Sequence, residues 1–285
     1  MANDYVTFDI DARKIDFVSQ FETDFQSLMD LLSVARPIVK ESGANISIKK
    51  VDIDLAEQVE KGETIALTDA EVSEVVIDPI TIKKYRKATT LEDISAYGYD
   101  NAVERTDEAL RRSIGSDITT DLYTTLLTGS LTGSANTIQM AMALAQADVI
   151  TQFDTISLGV TGTVGFVNTT DFYTYLGGAE ISLQTAFGMQ YVQNFMNYDV
   201  VFITPRVTSG KVVATALNNL NVYAINPSDP DFAKAGLSFT TDSTGLIGVA
   251  LDGEYSNVTS QTVAICGVKL VPEYLDGIAV YTVTP

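Results

Sequence analysis

The longest helical pattern in the chain runs from residue 98 to residue 129. Apolar residues recur there about once per turn, and they form a stripe that is narrower than the apolar face of an ordinary core helix. The stripe consists of Val103, Leu110, Ile114, Ile118, Leu122 and Leu126. Asp100 can cap the first turn, and Gly129 can end the helix. Asp107 with Arg111 and Glu108 with Arg112 are spaced as i to i+4 pairs. The pattern predicts one helix of roughly 42 Å, longer than a small domain is wide.

A second amphipathic pattern covers residues 14 to 34 and ends at Arg36-Pro37, because the residue before a proline disfavours the helical conformation. Five apolar residues share one face of this helix. They are Ile15, Val18, Phe25, Met29 and Leu32. We predict that residues 1–45 form an N-terminal arm, which either docks on its own chain or is a detachable element for a partner.

Between residues 46 and 90, the period of the apolar pattern changes to two residues. Apolar and polar residues alternate in ISIKKVDIDL and in VSEVVIDPITIKKYRKATTL, and a charged stretch separates the two segments. This alternation is typical of β-strands, so we predict two long strands joined by a polar tip. A two-stranded ribbon is marginally stable alone in water, and we therefore expect this one to lie on another surface.

The remainder of the chain alternates between helical and strand patterns. SANTIQMAMALAQADVITQF predicts a core helix, since Met and Ala surround it on most sides, and TTDFYTYLGG predicts a shorter helix. Strands are predicted in TVGFVN, YDVVFITPRV, KVVATAL, NVYAINPSD and QTVAICGVKLVPEYLDGIAVYTV. Together these elements predict a mixed α+β fold.

The composition excludes several classes of protein. Eighteen basic residues against 37 acidic ones give a net charge of −19, which disfavours direct binding to the backbone of nucleic acids. The apolar content of 46% is enough for a true core. No apolar run reaches membrane-spanning length, and the acidic first residues do not resemble a signal peptide. We expect folding in a reducing cytoplasm, with Cys266 as a buried and inert thiol.

The sequence lacks the usual residues of catalysis. Histidine is absent, which removes the commonest general base and metal ligand. TSGKV around Gly210 differs from a phosphate-binding loop, because Pro205 and Val212 replace its first glycine and its hydroxyl residue, and we interpret it as a hairpin turn. Asp52 and Asp54 are spaced like part of a calcium loop but lack the glycine that follows. We therefore predict no enzyme, with no catalytic residue, no cofactor site and no metal site.

The order of these parts resembles that of the major capsid proteins of tailed, double-stranded DNA bacteriophages. GYDNAVERTDEALRRSIGSDITTDLYTTLLTG resembles the spine helix of that family, and NISIKKVDID through IKKYRKATTL resembles its extended loop. FGMQYVQNFMNYDVVFITPRVTSGKVVATALNNLNVYAINPSD, followed by AKAGLSFTTDSTGLIGVALDG, resembles the axial domain of capsid proteins from long-tailed phages of streptococci and lactococci. The resemblance covers roughly residues 40 to 285, and its axial-domain part is the most specific.

The resemblance implies a capsid subunit built from five parts. These are an N-terminal arm (1–45), an extended loop or β-ribbon (46–90), a peripheral domain with the spine helix (91–132), an axial domain (133–258) and C-terminal strands that return to the peripheral domain (259–285). Some relatives form Lys to Asn crosslinks between subunits, for which Lys61 at the predicted loop tip is a candidate donor, although a solvated lysine is the simpler interpretation.

The resemblance also implies partners and a location. The subunit would self-assemble into hexamers and pentamers and would enclose double-stranded DNA without sequence-specific binding. Its further partners would be a portal protein and a separate scaffolding protein, unless an upstream scaffolding region has already been removed. The shell would be the capsid of a virion, assembled in the cytoplasm of the host bacterium, with no membrane contact.

Two sets of residues are predicted to contact neighbouring subunits. The first set lies in the arm and comprises Phe25, Met29 and Leu32. The second set is the basic run IKKYRKA, with Lys83, Lys84, Arg86 and Lys87. On a ribbon laid over an acidic neighbour this run would be attracted to the surface beneath it, whereas on a solvated strand it would only discourage edge pairing.

Two other functions remain open. A bacterial nanocompartment shell, as formed by encapsulins, has a related fold but holds cargo enzymes, so nuclease-protected DNA in purified particles would distinguish a phage capsid from it. A β-rich surface adhesin or an ordinary hydrolase would remain a monomer or a small oligomer under all conditions.

Overall fold

The computed structural model describes residues 7–24, 35–40, 46–54, 59, 61, 67–76, 79–177, 184–186, 189–241 and 245–284. The chain divides into two compact units. We call residues 1–42 together with residues 81–285 the body, and residues 43–80 the ribbon unit.

The described helices belong to the body. They are α1 (Thr7–Asp24), α2 (Leu91–Tyr97), a π-helical turn (Asp100–Glu104), α3 (Arg105–Leu126), α4 (Ile138–Thr155), α5 (Thr169–Leu176), α6 (Pro230–Lys234) and two 3-10 turns (Leu217–Asn219 and Leu275–Gly277). Short polar side chains begin four of them, because Thr90, Thr137, Asn168 and Asp229 accept backbone N–H groups from the first turns of α2, α4, α5 and α6.

The described strands form four sheets. They are β1 (Arg36–Lys40), β2 (Ser47–Asp54), β3 (Asp69–Val76), β4 (Lys83–Thr90), β5 (Leu131–Ala135), β6 (Thr163–Val167), β7 (Gln184–Ala186), β8 (Met189–Phe195), β9 (Tyr198–Ile203), β10 (Lys211–Ala216), β11 (Leu220–Ile225), β12 (Thr240–Thr241), β13 (Ile247–Glu254), β14 (Thr259–Cys266), β15 (Val268–Pro272) and β16 (Ile278–Val283). The strand orders are β5-β16-β10-β6-β9-β8-β7, β12-β13-β14-β4, β1-β11-β15 and β2-β3.

The seven-stranded sheet is buried between two layers of the body. On one face, α4 contributes Ala145, Val149 and Phe153 to a core cluster that includes the inward side chains of β10 and β16. On the other face, Phe166 and Val213 join a second cluster that contains the buried residues of α1 and α3. The central strand β6 is buried along its whole length, as expected for a strand covered on both faces. The mixed α+β class predicted from the sequence is confirmed.

The long helical segment is interrupted where the sequence predicts a continuous helix. The apolar stripe is confirmed, since Val103, Ile114 and Leu122 are fully buried or nearly so. However, Asp100 caps nothing: it begins the π-helical turn, and the preceding residue is already helical. The helical region begins earlier, at the Thr90 cap of α2, and it breaks at Gly98, whose φ of +77° favours glycine.

The predicted stop at Gly129 has a packing reason. The helix α3 ends at Leu126, and Gly129 follows after a short turn. A Cβ atom at Gly129 would lie 2.5 Å from the carbonyl oxygen of Ile278 in β16. The glycine therefore permits the close approach of two backbones rather than a left-handed turn.

The turn at Gly210 is confirmed, but the hairpin predicted there is wrong. Gly210 has a φ of +77° and lies between β9 and β10. These two strands are not neighbours, because β6 lies between them in the sheet. Turn residues identify a reversal of the chain, but they do not identify which strands pair.

The ribbon unit contains the antiparallel pair β2 and β3, which runs in register from Ser47 opposite Val76 to Asp54 opposite Asp69. The basic segment does not continue this pair. It forms β4, whose residues hydrogen-bond to β14 in the body. The boundary between the two units accordingly falls after Ile80 and not at Thr90, because β14 supplies the partner that local alternation cannot identify.

Candidate functional site

One face of β4 lies on the helix α3. The side chains of β4 point alternately toward α3 and away from it. Three successive inward residues of β4 each bind one aspartate of α3. The contacts are Lys83 with Asp121 at 2.6 Å, the Tyr85 hydroxyl with Asp117 at 3.1 Å, and Lys87 with Asp107 at 2.6 Å. Because side chains alternate across a strand, half of the basic run is used inside the subunit.

Asp107 is the centre of a buried polar cluster. Its side chain is 6% exposed, and it accepts hydrogen bonds from the guanidinium of Arg13 at 2.6 Å and the ammonium of Lys87 at 2.6 Å. The hydroxyl of Thr262 in β14 donates to the same carboxylate at 3.0 Å. Arg13 also donates to Ser260 and Thr262. The cluster thus joins α1, β4, α3 and β14 through one carboxylate.

The charges of this cluster do not cancel, since two cations surround one carboxylate. Burial lowers the pKa of Lys87, and the nearby Arg13 lowers it further, while the hydrogen bond and charge of Asp107 act in the opposite direction. For Lys83, burial also acts to lower the pKa, but the hydrogen bond and charge of Asp121 outweigh it, and the pKa is raised. The Lys87 end is therefore the more tightly enclosed end of the strand.

The opposite face of β4 carries the remaining basic residues. Lys84 and Arg86 are exposed, and Arg86 donates to the amide oxygen of Gln261 at 2.7 Å. Among the described residues, neither forms an ion pair within 4.0 Å. The run predicted as one contact surface is thus divided between an inner and an outer face.

The arm helix α1 packs on the body differently from the sequence prediction. Phe17, Val18 and Phe21 are buried, whereas Ile15 is 62% exposed, so the predicted apolar face is wrong at Ile15. The guanidinium carbon of Arg111 lies 5.1 Å from the centre of the Phe17 ring. The helix begins at Thr7, before residue 14, and its described buried residues include Phe17 and Phe21, one turn apart. The arm residues predicted as contacts, Phe25, Met29 and Leu32, lie outside the described residues.

The sequence does not reveal the contact between Arg13 and Asp107. The two residues lie 94 positions apart in the sequence. Charged residues on a helix are normally exposed, so neither residue is marked as buried by its type. The only local signal is the position of Asp107, one turn after Val103 on the buried stripe.

The residues with a described placement contain no group of three acidic or cysteine side chains that could hold a metal ion. A polar cleft of about 440 Å³ beside α1 is lined by Arg13, Tyr99, Glu104 and Glu108, among others. Cys266 is buried, as predicted, and burial raises the pKa of its thiol to about 11. None of the described helices is long and apolar enough to cross a membrane.

Comparison with solved structures identifies the fold. The capsid of Myoviridae phage XM1 matches with a TM-score of 0.60 and 13% sequence identity, over 89% of this chain and 91% of that chain. The chain has a phage capsid fold. A structure of Mycobacterium phage Patience matches with a TM-score of 0.60 and 8% identity, over 96% and 88% of the two chains. The capsid-protein fold expected from the sequence is confirmed.

The same fold also occurs outside phages. An encapsulin complex from Synechococcus elongatus matches with a TM-score of 0.52 and 11% identity, over 88% of this chain and 86% of that chain. No protein-family model matches the sequence, and neither does any curated protein.

Proposed function

We propose that this chain is the major capsid protein of a tailed bacteriophage, a structural subunit that assembles into hexamers and pentamers around double-stranded DNA. The observation that carries the proposal is the fold, which extends over 89% of the chain in the comparison with the phage XM1 capsid. Shell formation follows from a fold whose solved examples include capsids. The net charge of −19 fits a container that does not bind nucleic acid tightly.

The proposal assigns a role to each part of the chain. The ribbon unit and the arm make contacts between subunits, the segment from residue 91 to residue 132 is the peripheral domain, and residues 133–258 form the axial domain. A portal protein and a separate scaffolding protein are the further partners, and assembly takes place in the host cytoplasm. A nearer affiliation with phages of streptococci and lactococci rests on the sequence resemblance alone.

A nanocompartment shell is the second candidate, because an encapsulin complex shares the fold. The two functions differ in what the particle contains. The test is expression of the chain followed by electron microscopy and nuclease treatment of purified particles. Closed shells that protect double-stranded DNA after co-expression with the phage packaging proteins would support the capsid. Shells that co-purify with a cargo enzyme and never fill with DNA would support the compartment. A chain that stays monomeric with every partner would contradict both.

A further inference from the structure

The helix α4 is apolar on two opposite sides, but the body covers only one of them. The covered side includes Ala141, Ala145 and Val149, which belong to the core cluster shared with the seven-stranded sheet. A helix that is apolar all round is normally buried all round. The sequence predicted such a core helix, and the structure leaves its second apolar side without a cover.

The uncovered side is a stripe that follows the helical repeat. Its residues recur at i, i+3, i+4, i+7 and i+10, and they lie within about a third of the helix circumference. They are Met140, Ala143, Leu144, Ala147 and Ile150. Met140 is 53% exposed and Ile150 is 44% exposed, the two alanines are exposed, and Leu144 is half-buried. We call these five residues the α4 stripe.

The part of the chain around the α4 stripe is acidic. The sequence from residue 113 to residue 205, which contains α4 and α5, has seven acidic residues and no lysine or arginine, so its net charge is −7. The last turn of α4 accordingly has no basic residue to offset the partial negative charge at the end of the helix. A cation next to this helix would be attracted to it.

Two carboxylates border the α4 stripe itself. Asp148 lies one turn after Leu144, and Asp154 lies one turn after Ile150. Asp148 accepts a hydrogen bond from the hydroxyl of Tyr281. In the described ranges of the chain, neither carboxylate lies within 4.0 Å of a lysine or arginine. The stripe is thus an apolar surface with negative charge along its border.

We infer that the α4 stripe is the docking surface for a basic amphipathic helix of a second protein. The apolar face of that helix would lie over Ala143 and Ala147, where small side chains permit a close approach of two helices. Lysine or arginine residues beside that face would approach Asp148 and Asp154. Burial of apolar surface supplies the favourable free energy, and the charges select the partner.

A second copy of this chain does not fit the same surface. Two α4 stripes packed against each other would bring the carboxylates of Asp148 and Asp154 in one copy toward those in the other, which is repulsive. None of the described helices has a net positive charge. The partner is therefore a protein of different composition. The inference goes beyond the proposed function, which assigns no partner to α4.

A synthetic peptide tests the chemistry of the surface. The probe is a fluorescein-labelled peptide of the same length as α4, with leucines on one helical face and lysines beside them. The control peptide has the same composition in a shuffled order that forms no apolar face. Fluorescence anisotropy with the full-length, unassembled subunit gives both dissociation constants, and we expect the probe to bind at least about tenfold more tightly. Equal affinities would report only the attraction of lysines to an acidic chain and would overturn the docking surface.

Uncharged substitutions test the apolar part of the contact. Met140→Gln with Ile150→Gln should weaken probe binding by at least about tenfold, because two apolar side chains are replaced by polar ones. The matched control is Leu91→Gln with Leu237→Gln, which changes two apolar residues that are 55% and 54% exposed elsewhere in the body. It should leave the affinity unchanged. A control that weakens binding equally would place the peptide elsewhere.

A neutralised carboxylate tests the preference for a basic partner. Asp154→Asn should weaken probe binding by about threefold at low salt, because an exposed charge pair contributes little free energy. Asp252→Asn makes the same change in net charge at another exposed position and should have no effect. Equal effects of the two substitutions would overturn the assignment of a basic partner to this surface.

A fluorescent label on the stripe tests the other possible covers. An environment-sensitive dye on Ala147→Cys should shift its emission when the probe binds, whereas a dye on Ala235→Cys, an exposed alanine after α6, should not. The native thiol of Cys266 is buried. The same shift at rising subunit concentration without peptide would show that a second copy covers the stripe. A fall of more than about 5 °C in the melting temperature of the Met140→Gln, Ile150→Gln subunit would show that its own chain covers it. Either result would overturn the inference.

These outcomes are separate from those that test the proposed function. All of them are measured on the unassembled subunit, so a failure of the probe to bind the stripe leaves shell formation untouched. A wild-type chain that forms no shell with any partner would contradict the proposed function without changing the peptide result.

Discussion

The ammonium of Lys87 lies 2.6 Å from Oδ1 of Asp107, and through this contact the strand β4 is joined to the long helix α3. Both side chains are largely enclosed, with 16% and 6% exposure. Arg13 binds the second oxygen of the same carboxylate from α1. A residue that the sequence places in an intersubunit contact thus stabilises the subunit to which it belongs.

The first prediction concerns Asp107. Asp107→Asn would remove the negative charge and leave Arg13 and Lys87 enclosed beside each other without compensation. Breaking a buried ion pair from one side costs about 3 to 5 kcal/mol, and we expect a loss of unfolding free energy of this order. Urea unfolding of the unassembled subunit measures it. The control Glu108→Gln breaks an exposed pair with Arg112 and should change the free energy by less than about 1 kcal/mol. Equal effects of the two substitutions would contradict the role of the cluster.

The second prediction divides the basic run by face. Lys87→Glu would place a carboxylate against the buried Asp107, and we expect a loss of at least about 3 kcal/mol of unfolding free energy. Lys84→Glu points away from α3 and should change the free energy of the unassembled subunit by less than about 0.5 kcal/mol. Thermal unfolding of the two variants under identical conditions makes the comparison. If Lys84→Glu destabilises the subunit and Lys87→Glu does not, the assignment of Lys87 to the inner face and Lys84 to the outer face is wrong.

Periodicity was sufficient for the helix α3, which has the core on one side and solvent on the other. The stripe through Ile114 and Leu122 is buried as predicted, and β2 and β3 pair as the predicted two-stranded ribbon. The pairing of β4 with β14 could not be predicted, because it joins Thr90 to Thr259 across most of the chain. Local alternation describes which face of a strand is polar, but it contains no information about the neighbouring strand.

The candidate site was predicted less completely than the fold. A run of four basic residues in five positions is visible in the sequence, but the acidic partners of Lys83 and Lys87 lie on α3, in a helix with many exposed charges. The cluster at Asp107 depends on Arg13, Thr262 and Ser260 meeting in space. Such clusters depend on tertiary packing, which a local pattern does not specify.

The third prediction concerns the arm helix α1. Phe21 is fully buried and Ile15 is exposed, although both are apolar residues of the same helix. Phe21→Ala should lower the unfolding free energy by about 3 to 5 kcal/mol, because it removes a buried ring and leaves a cavity. Ile15→Ala should lower it by less than about 0.5 kcal/mol. Chemical denaturation of the unassembled subunit measures both. If Phe21→Ala affects assembly alone, α1 is a detachable element and not part of the core.

The fourth prediction concerns pH and Cys266. Burial raises the pKa of this thiol from 9.0 to about 11, so the unfolded chain releases the proton at a lower pH than the folded chain. The stability that the protonated thiol contributes is complete below pH 9 and is lost as the pH rises through 11. Cys266→Ala should therefore show a smaller decrease in stability than the wild type between these values. Melting curves at a series of pH values measure the difference. Parallel curves for the two proteins would show that the thiol titrates alike in both states.

The last prediction concerns the ribbon unit. Ser47 and Val76 stand opposite each other in the β2–β3 pair, so a two-residue Asn-Gly turn can replace residues 48–75 without straining the ends. The body should retain its melting temperature within about 2 °C, because its sheets do not include β2 or β3. Shell assembly should be lost. Circular dichroism and electron microscopy measure the two properties.

A matched variant shortens the same ribbon at its tip only, with Asn-Gly in place of residues 55–68 between the opposed Asp54 and Asp69. It retains the paired strands β2 and β3, so we expect it to assemble if these strands make the contact between subunits. Closed shells from the fully shortened chain would show that the ribbon is not required between subunits. A fall of more than about 5 °C in the melting temperature of that chain would instead make the ribbon a part of the body's stability. Because the two variants differ only in the paired strands, a difference in assembly between them assigns the contact to β2 and β3.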